Sequence, residues 1–185
     1  MTDTRGLDPL LDFTGKVVLI TGAAQGLGKL LAEELGLRGA LLVLGDIKEE
    51  AVNDVANAIN SRNGKAIGLA CDVSRKSDCA AMVNAAVEAF GQLDIAVNNA
   101  GIAGEMKHVT EFTEADIDLQ FSVNAKGVMF GMQCQIPQMR SGGGGMILNV
   151  SSMAGLGAAP KAAAYAAAKH AIVGLTKTAA FEYAG

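Results

Sequence analysis

The sequence predicts an α/β protein, a doubly wound parallel sheet in three layers, and three observations lead there. Short apolar, β-branched runs alternate with helical patterns along all 185 residues. The first run opens directly into a glycine turn and then a helix, in Thr21-Gly22-Ala23-Ala24-Gln25-Gly26-Leu27-Gly28. The residues capable of chemistry fall just after the strands, which is one rim of a parallel sheet.

The elements follow in order. Lys16–Thr21 is a buried-strand pattern, and Gly26–Arg38 is helical with Leu27, Leu30, Leu31 and Leu35. Ala40–Gly45 is a second strand and Lys48–Arg62 a second helix, ended by Asn63-Gly64. Lys65–Cys71 reads as a third strand. Arg75–Phe90 is helical, with Ser74 as cap and Gly91 as stop. Leu93–Val97 is a fourth strand. Thr113-x-x-Asp116 resembles a capping box opening a long helix toward Met139. Gly142–Gly145 is a loop, Met146–Val150 a fifth strand, and a last helix starts near Ala162 and runs to the chain end. Such alternation implies right-handed crossovers and helices on both sheet faces. No repeat or Pro-rich linker divides residues 1–185, so one domain is expected.

Composition narrows the function. Hydrophobic residues make up 50% and charged residues 18%, a globular balance. Net charge is −4 and the sequence pI about 5.1, which argues against a nucleic-acid partner. No apolar run reaches membrane-spanning length, and Met1–Gly6 is polar with no signal-peptide core. Cys71, Cys79 and Cys134 form no Cys-x-x-Cys pair and read as free thiols of a reducing, cytoplasmic compartment. His108 and His170 make no metal-spaced cluster, so no metal site is expected.

Two constellations carry the chemistry. In the first, Gly22 can take backbone angles closed to other residues, Gly26 lets the main chain approach a pyrophosphate, and Gly28 lets the helix pack close to the strand. The helix start offers unpaired N–H groups to phosphate. The spacing is Gly-x-x-x-Gly-x-Gly, in a Rossmann-like strand–turn–helix setting. Asp46 ends the second strand about twenty residues on, where an acid binds the ribose hydroxyls of NAD and repels the extra phosphate of NADP. Gln25 offers that phosphate no cation, and Lys48 is the one nearby cation. Asp46 can equally cap the helix that follows.

The second constellation is Tyr165-Ala-Ala-Ala-Lys169, thirteen residues after Ser152. A phenol is a poor acid or base at neutral pH, with an ordinary pKa of about 10. A lysine at i+4 shares its helix face, and its charge favours the phenolate. A serine hydroxyl that holds a carbonyl oxygen completes a proton-transfer site for alcohol and ketone chemistry.

Together these residues resemble the short-chain dehydrogenase/reductase family, in its ordinary rather than extended branch. The matches run from Thr21 to Lys169. The resemblance implies that Gly22, Gln25, Gly26, Leu27 and Gly28 form the cofactor loop, that Asp46 binds ribose, and that Asp72-Val73 contacts adenine. Asn98-Asn99-Ala100-Gly101 matches a turn that supports the sheet and the cofactor ribose. Asn124 matches the catalytic asparagine, ordering water that leads from Lys169 to solvent. Ser152, rather than Ser151, has the family spacing and would hydrogen-bond the substrate oxygen. Tyr165 would be the general acid/base, and Lys169 would also hold the nicotinamide ribose. Other roles remain open: the serines could cap a turn, Asn124 could satisfy main-chain groups in a bent helix, and Asn98 and Asn99 could be scaffold.

Members of the family continue past the last helix with two strands and a substrate-covering segment. Those are missing after Gly185, which implies a C-terminally truncated sheet with the fifth strand at its edge. Two functions follow: an NAD-dependent oxidoreductase acting on a secondary alcohol or ketone, or a catalytically impaired nucleotide-binding module. The resemblance also implies a homo-oligomer paired through the long helix Thr113–Met139 and the final helix.

Overall fold

The computed structural model describes residues 11–183. Met1–Gly6, and the continuation of the last helix into Ala184 and Gly185, lie outside them. Five strands form one parallel sheet: β1 Val17–Thr21, β2 Leu41–Asp46, β3 Lys65–Ala70, β4 Ile95–Asn98 and β5 Met146–Asn149. Their order is β3-β2-β1-β4-β5. The helices are α1 Gly26–Leu37, α2 Glu49–Asn60, α3 Lys76–Phe90, α4 Glu114–Phe121, α5 Gly127–Ser141 and α6 Ala163–Tyr183.

Alternation along β1 sets the layers. Val18 and Ile20 join the core formed with α1 and α2, while Val17 and Leu19 join the core formed with α3. Helix α2 shows why: Val52, Val55, Ala56 and Ile59 recur on one face and are buried there. Helices α5 and α6 share a smaller core of Val128, Met132 and Ile172. The chain winds outward from β1 to β3, then returns to place β4 on the other side of β1. The crevice at this reversal lies between the C-terminal ends of β1 and β4, where open α/β sheets bind ligands.

The fifth strand is at the sheet edge, as the sequence led one to expect, and pairs with β4 alone among the described residues. Met146 and Leu148 pair in register with Ile95 and Val97, so they lie on the α1/α2 side, where both are more than half exposed.

Three local expectations need correction. Ser74 does not cap α3: the helix follows an extended Arg75, and the Ser74 hydroxyl donates instead to Asp72 Oδ1 at 2.7 Å. Serine competes for such short-range bonds whenever an acceptor lies two residues away. The single long helix from Thr113 is interrupted. Its capping box forms between Thr113 and Asp116, but Ser122–Lys126 is a π-turn joining α4 to α5. Strand β3 stops at Ala70, before Cys71. Gly91 does close α3, with φ of 83°.

A buried amide network fixes the sheet against α5. Asn98 and Gln135 exchange two hydrogen bonds, of 3.0 and 2.8 Å, and Asn98 also donates to Asn149 Oδ1 at 2.8 Å. Asn149 in turn donates to Thr176 on α6 at 3.0 Å. A buried amide stripped of its partner bears its desolvation penalty in full. Gln135→Leu is therefore expected to destabilise the fold by about 2 kcal/mol, read as a lowered urea midpoint.

Candidate active site

The glycine loop is built by what surrounds it. Gly22 has φ of +69°, in the left-handed region. A side chain at Gly28 would collide with the Gly22 carbonyl and the Asn99 amide, so α1 packs where only glycine fits. Gly26 also has positive φ, +56°, and a side chain there would meet open space, so the main chain itself faces outward. Gln25 precedes α1 in extended conformation, and no side chain caps the helix start. Gln25, Gly26 and Leu27 are exposed. The first turn of α1 thus offers its N–H groups and partial positive charge outward, as a pyrophosphate needs.

The end of β2 closes one side of this loop. Asp46 accepts from Ala24 N–H at 3.1 Å and from Lys48 N–H at 3.0 Å. The carboxylate therefore ties the glycine loop to the end of β2 and anchors the turn entering α2, in line with the capping role expected of it. Lys48 Nζ donates to Gln25 Oε1 at 2.9 Å, which lays a cation across the loop. At the end of β3, Asp72 accepts from Ser74 and faces Arg75 at 3.6 Å, while Val73 is buried against Gly127.

The other side is the turn after β4. Thr21 Oγ1 accepts from the N–H of Asn99 and of Ala100, both at 3.1 Å. The Asn99 amide donates to the carbonyls of Thr21 and Gly22, at 2.9 and 3.1 Å. The Asn98 side chain is engaged by Gln135 and Asn149, so it serves the sheet, the scaffold role the sequence left open to it. Asn99 also works as scaffold, directly beneath the loop.

Close approaches run from this turn to Asn124, Lys169 and Tyr165. A Cβ added at Gly22 would stand 2.8 Å from Ala100 Cα. One added at Gly101 would stand 2.8 Å from Asn124 Oδ1 and 3.4 Å from Lys169 Nζ. Lys169 Nζ lies 5.7 Å from the centre of the Tyr165 ring, on the shared face of α6. Asn124 sits in the π-turn, fully buried, and bonds Ile102 in both directions at 2.9 Å. It satisfies main-chain groups in a bent helix and meets the site at Gly101. π-turns of this kind recur at functional positions.

The two serines divide the labour. Ser151 donates to the Lys169 carbonyl at 2.9 Å and ties the loop to α6. Ser152 Oγ accepts from Ala154 N–H at 3.2 Å and caps the 3-10 turn Met153–Gly155. Its own hydroxyl hydrogen stays available to donate to a substrate oxygen. Lys169 is 4% exposed and donates to the Val150 carbonyl at 2.9 Å. Burial holds its pKa below the ordinary lysine value.

Sequence reasoning missed several contributors. Thr21 and Ser151 bond main-chain groups far along the chain, and Ile102 offers its own main chain to the Asn124 side chain, which no local spacing announces. Lys107 was also missed. Its N–H donates to the Lys161 carbonyl, and its ammonium sits 2.8 Å from Asp116, so it pins the loop after Gly101 to the entry of α6. Lys107, together with the Thr113 N–H and hydroxyl, holds the Asp116 carboxyl down at about 2. Among the described residues no cluster of His, Cys, Asp or Glu could hold a metal. Cys71, Cys79 and Cys134 are free thiols.

The buried ammonium gives a pH test. Between its lowered folded pKa and the unfolded value of about 10.4, the unfolded chain binds more protons, so wild-type stability rises with pH there. Lys169→Met removes that dependence. The variant is expected to gain most on the wild type below the folded pKa and to lose that advantage as pH approaches 10, read from urea midpoints across pH.

Comparison with known proteins agrees with this geometry. The family model described as short chain dehydrogenase matches residues 16–185. An uncharacterized oxidoreductase of Thermotoga maritima is 42% identical over 173 residues, covering 94% of this chain and 68% of the relative. Levodione reductase of Leifsonia aquatica is 38% identical over 182 residues, covering 97% and 68%. A crystal structure of levodione reductase superposes with a TM-score of 0.90, over 93% of this chain and 67% of that one, at 38% identity. A short chain dehydrogenase/reductase from Burkholderia phymatum, in complex with NAD, gives 0.88 at 35% identity, over 92% and 61%. The chain thus spans about two thirds of the length of these relatives, and on the strength of that match it belongs to the short chain dehydrogenase family.

Proposed function

We propose that the chain is an NAD-dependent oxidoreductase that interconverts a secondary alcohol and its ketone. One observation carries this reading: the run of contacts from Gly22 through Ala100 and Gly101 to Asn124 and Lys169, and on to Tyr165. It puts a phosphate-binding loop and a proton-handling group on the same crevice. A levodione reductase and an NAD complex among the similar proteins support it.

The residues fit the cofactor. Gly26 and the start of α1 would take the pyrophosphate, and Asp46 the adenosine ribose. Ala100, Gly101 and Lys169 would flank the nicotinamide ribose. Bound NAD(H) supplies the hydride acceptor or donor. Ser152 holds the substrate oxygen with its free hydroxyl hydrogen. Tyr165 takes the proton from an alcohol or returns it to a ketone. Lys169, beside the phenol, favours its charged form, and Asn124, across Gly101 from the Lys169 ammonium, would order water leading from Lys169 to solvent. Orientation and proton handling are the protein's part.

Asp46 favours NAD over NADP, because its carboxylate repels a ribose phosphate; Lys48 works in the opposite direction. Exposed apolar residues on α4 and α5 (Ile117, Leu119, Met129) and on α6 (Phe181) support pairing with a second copy through the long helix and the final helix. The free thiols support a reducing, cytoplasmic setting, and no helix among the described residues is long and apolar enough to cross a membrane.

A second reading is a nucleotide-binding module without turnover. NADH fluorescence titration combined with an alcohol panel separates the two. Binding without turnover on any alcohol supports the module, and no binding sinks both. Under the enzyme reading, Tyr165→Phe is expected to lower kcat about 10³-fold while NADH still binds. An equally active Tyr165→Phe overturns the mechanism. Asp46→Ala is expected to raise the NADP-to-NAD ratio of kcat/KM about tenfold, a change of ~1.4 kcal/mol. An unchanged ratio removes Asp46 as the discriminator.

A further inference from the structure

Gln120 is buried on the last turn of α4, with 3% of its surface exposed. It stands four residues before Asn124, across the start of the π-turn. Its Oε1 accepts from Asn124 Nδ2 at 2.7 Å. The same Nδ2 donates to the Ile102 carbonyl, and Asn124 Oδ1 accepts from Ile102 N–H. Both amide hydrogens of Asn124 are therefore used, and both go to acceptors. Turned over by 180°, the amide would set its oxygen against two acceptors and its NH2 against a donor.

Gln120 also reaches the loop directly. A side chain at Gly104 would overlap Gln120 Nε2. The segment from Ile102 to Gly104 is thus supported at both ends, through Asn124 at one and by Gln120 itself at the other. What remains on Asn124 is a single acceptor lone pair of Oδ1. That oxygen lies 2.8 Å from a point which is also 3.4 Å from Lys169 Nζ, the position a Cβ would take on Gly101.

We infer that Gln120 is a positioning residue: its Oε1 locks the Asn124 amide so that Oδ1 faces Gly101 and the Lys169 ammonium, keeping the outward proton path aligned. This inference rests on the oxidoreductase reading for its catalytic consequence, but the lock itself is independent of turnover. A glutamine in this place has no apolar packing logic, and its shorter or apolar replacements keep the helix while losing the acceptor.

The test compares Gln120→Met and Gln120→Asn, which lose the contact, with Gln120→Glu, which keeps an acceptor oxygen at the same reach. Hydrogen exchange at the Ile102 amide is the first readout. The loss variants should speed it about tenfold, the effect of one buried hydrogen bond, and Gln120→Glu should stay within about twofold of wild type. Alcohol oxidation is the second readout. The loss variants should show a raised solvent deuterium isotope effect on kcat with KM for NAD unchanged, and Gln120→Glu should restore the wild-type isotope effect. Unaltered Ile102 exchange in both loss variants overturns the lock. A Gln120→Glu protein as impaired as Gln120→Met also overturns it, because the acceptor is then not what matters. A wild-type chain that binds NADH yet oxidises no alcohol overturns the reading under Proposed function, and Ile102 exchange still decides the lock.

Discussion

The hydrogen bonds that join the ends of β1 and β4 are the constraint on which the site depends. Thr21 receives two main-chain N–H groups from the turn after β4, and the Asn99 amide returns two bonds to the carbonyls of Thr21 and Gly22. Four bonds at one point make the glycine loop and the Ala100-Gly101 turn a single rigid piece. Parallel neighbours need such a device, because their loops leave the sheet from strands 77 to 79 residues apart in sequence. With that piece fixed, Gly101 presents its bare Cα to Asn124 and Lys169. The two constellations of the sequence then become one cleft.

Stability and function oppose each other at Lys169. An ammonium that is 4% exposed loses its hydration, and one hydrogen bond to the Val150 carbonyl replaces only part of it. No carboxylate pairs with it among the described residues, unlike Lys107, which is held between Asp116 and Glu105. A lysine kept for packing would not be left in this state. The one at 107 secures a loop, and the one at 169 lies 5.7 Å from the centre of the Tyr165 ring, where the proposed chemistry calls for a cation. Surface pairing and buried isolation mark the different duties of the two residues.

The alternation of strands and helices, the glycine loop and the Tyr165–Lys169 pair were legible in the sequence because each has a local period or spacing. A strand shows as a buried run, a capping box as residues three apart, and a shared helix face as residues four apart. Residues whose partners are distant were not legible in that way. Asn98 looked like part of a cofactor turn, yet its side chain is consumed by Gln135 and Asn149, 37 and 51 residues away. Ser74 looked like a cap, yet Asp72 two residues earlier took its hydroxyl. Gln120 did leave a trace, as a polar residue on a helix one turn before Asn124. The role of that pair was not legible, because Asn124 is fixed by the main chain of Ile102, 22 residues away.

The π-turn between α4 and α5 has a consequence for how α5 meets the sheet. An inserted residue in a helix advances everything beyond it by about 100° of rotation. The face that α5 shows to β4 is thus timed by Ser122–Lys126, and Gln135 meets Asn98 only because of that extra step. Removing one residue there would let the backbone relax into an uninterrupted α-helix with better local geometry. It would also swing Gln135 and Met132 off their targets and withdraw Asn124 from Ile102. The irregular turn works as a phase shifter, so that one awkward loop of backbone keeps the rim at Ile102 and the helix-to-sheet seam in step.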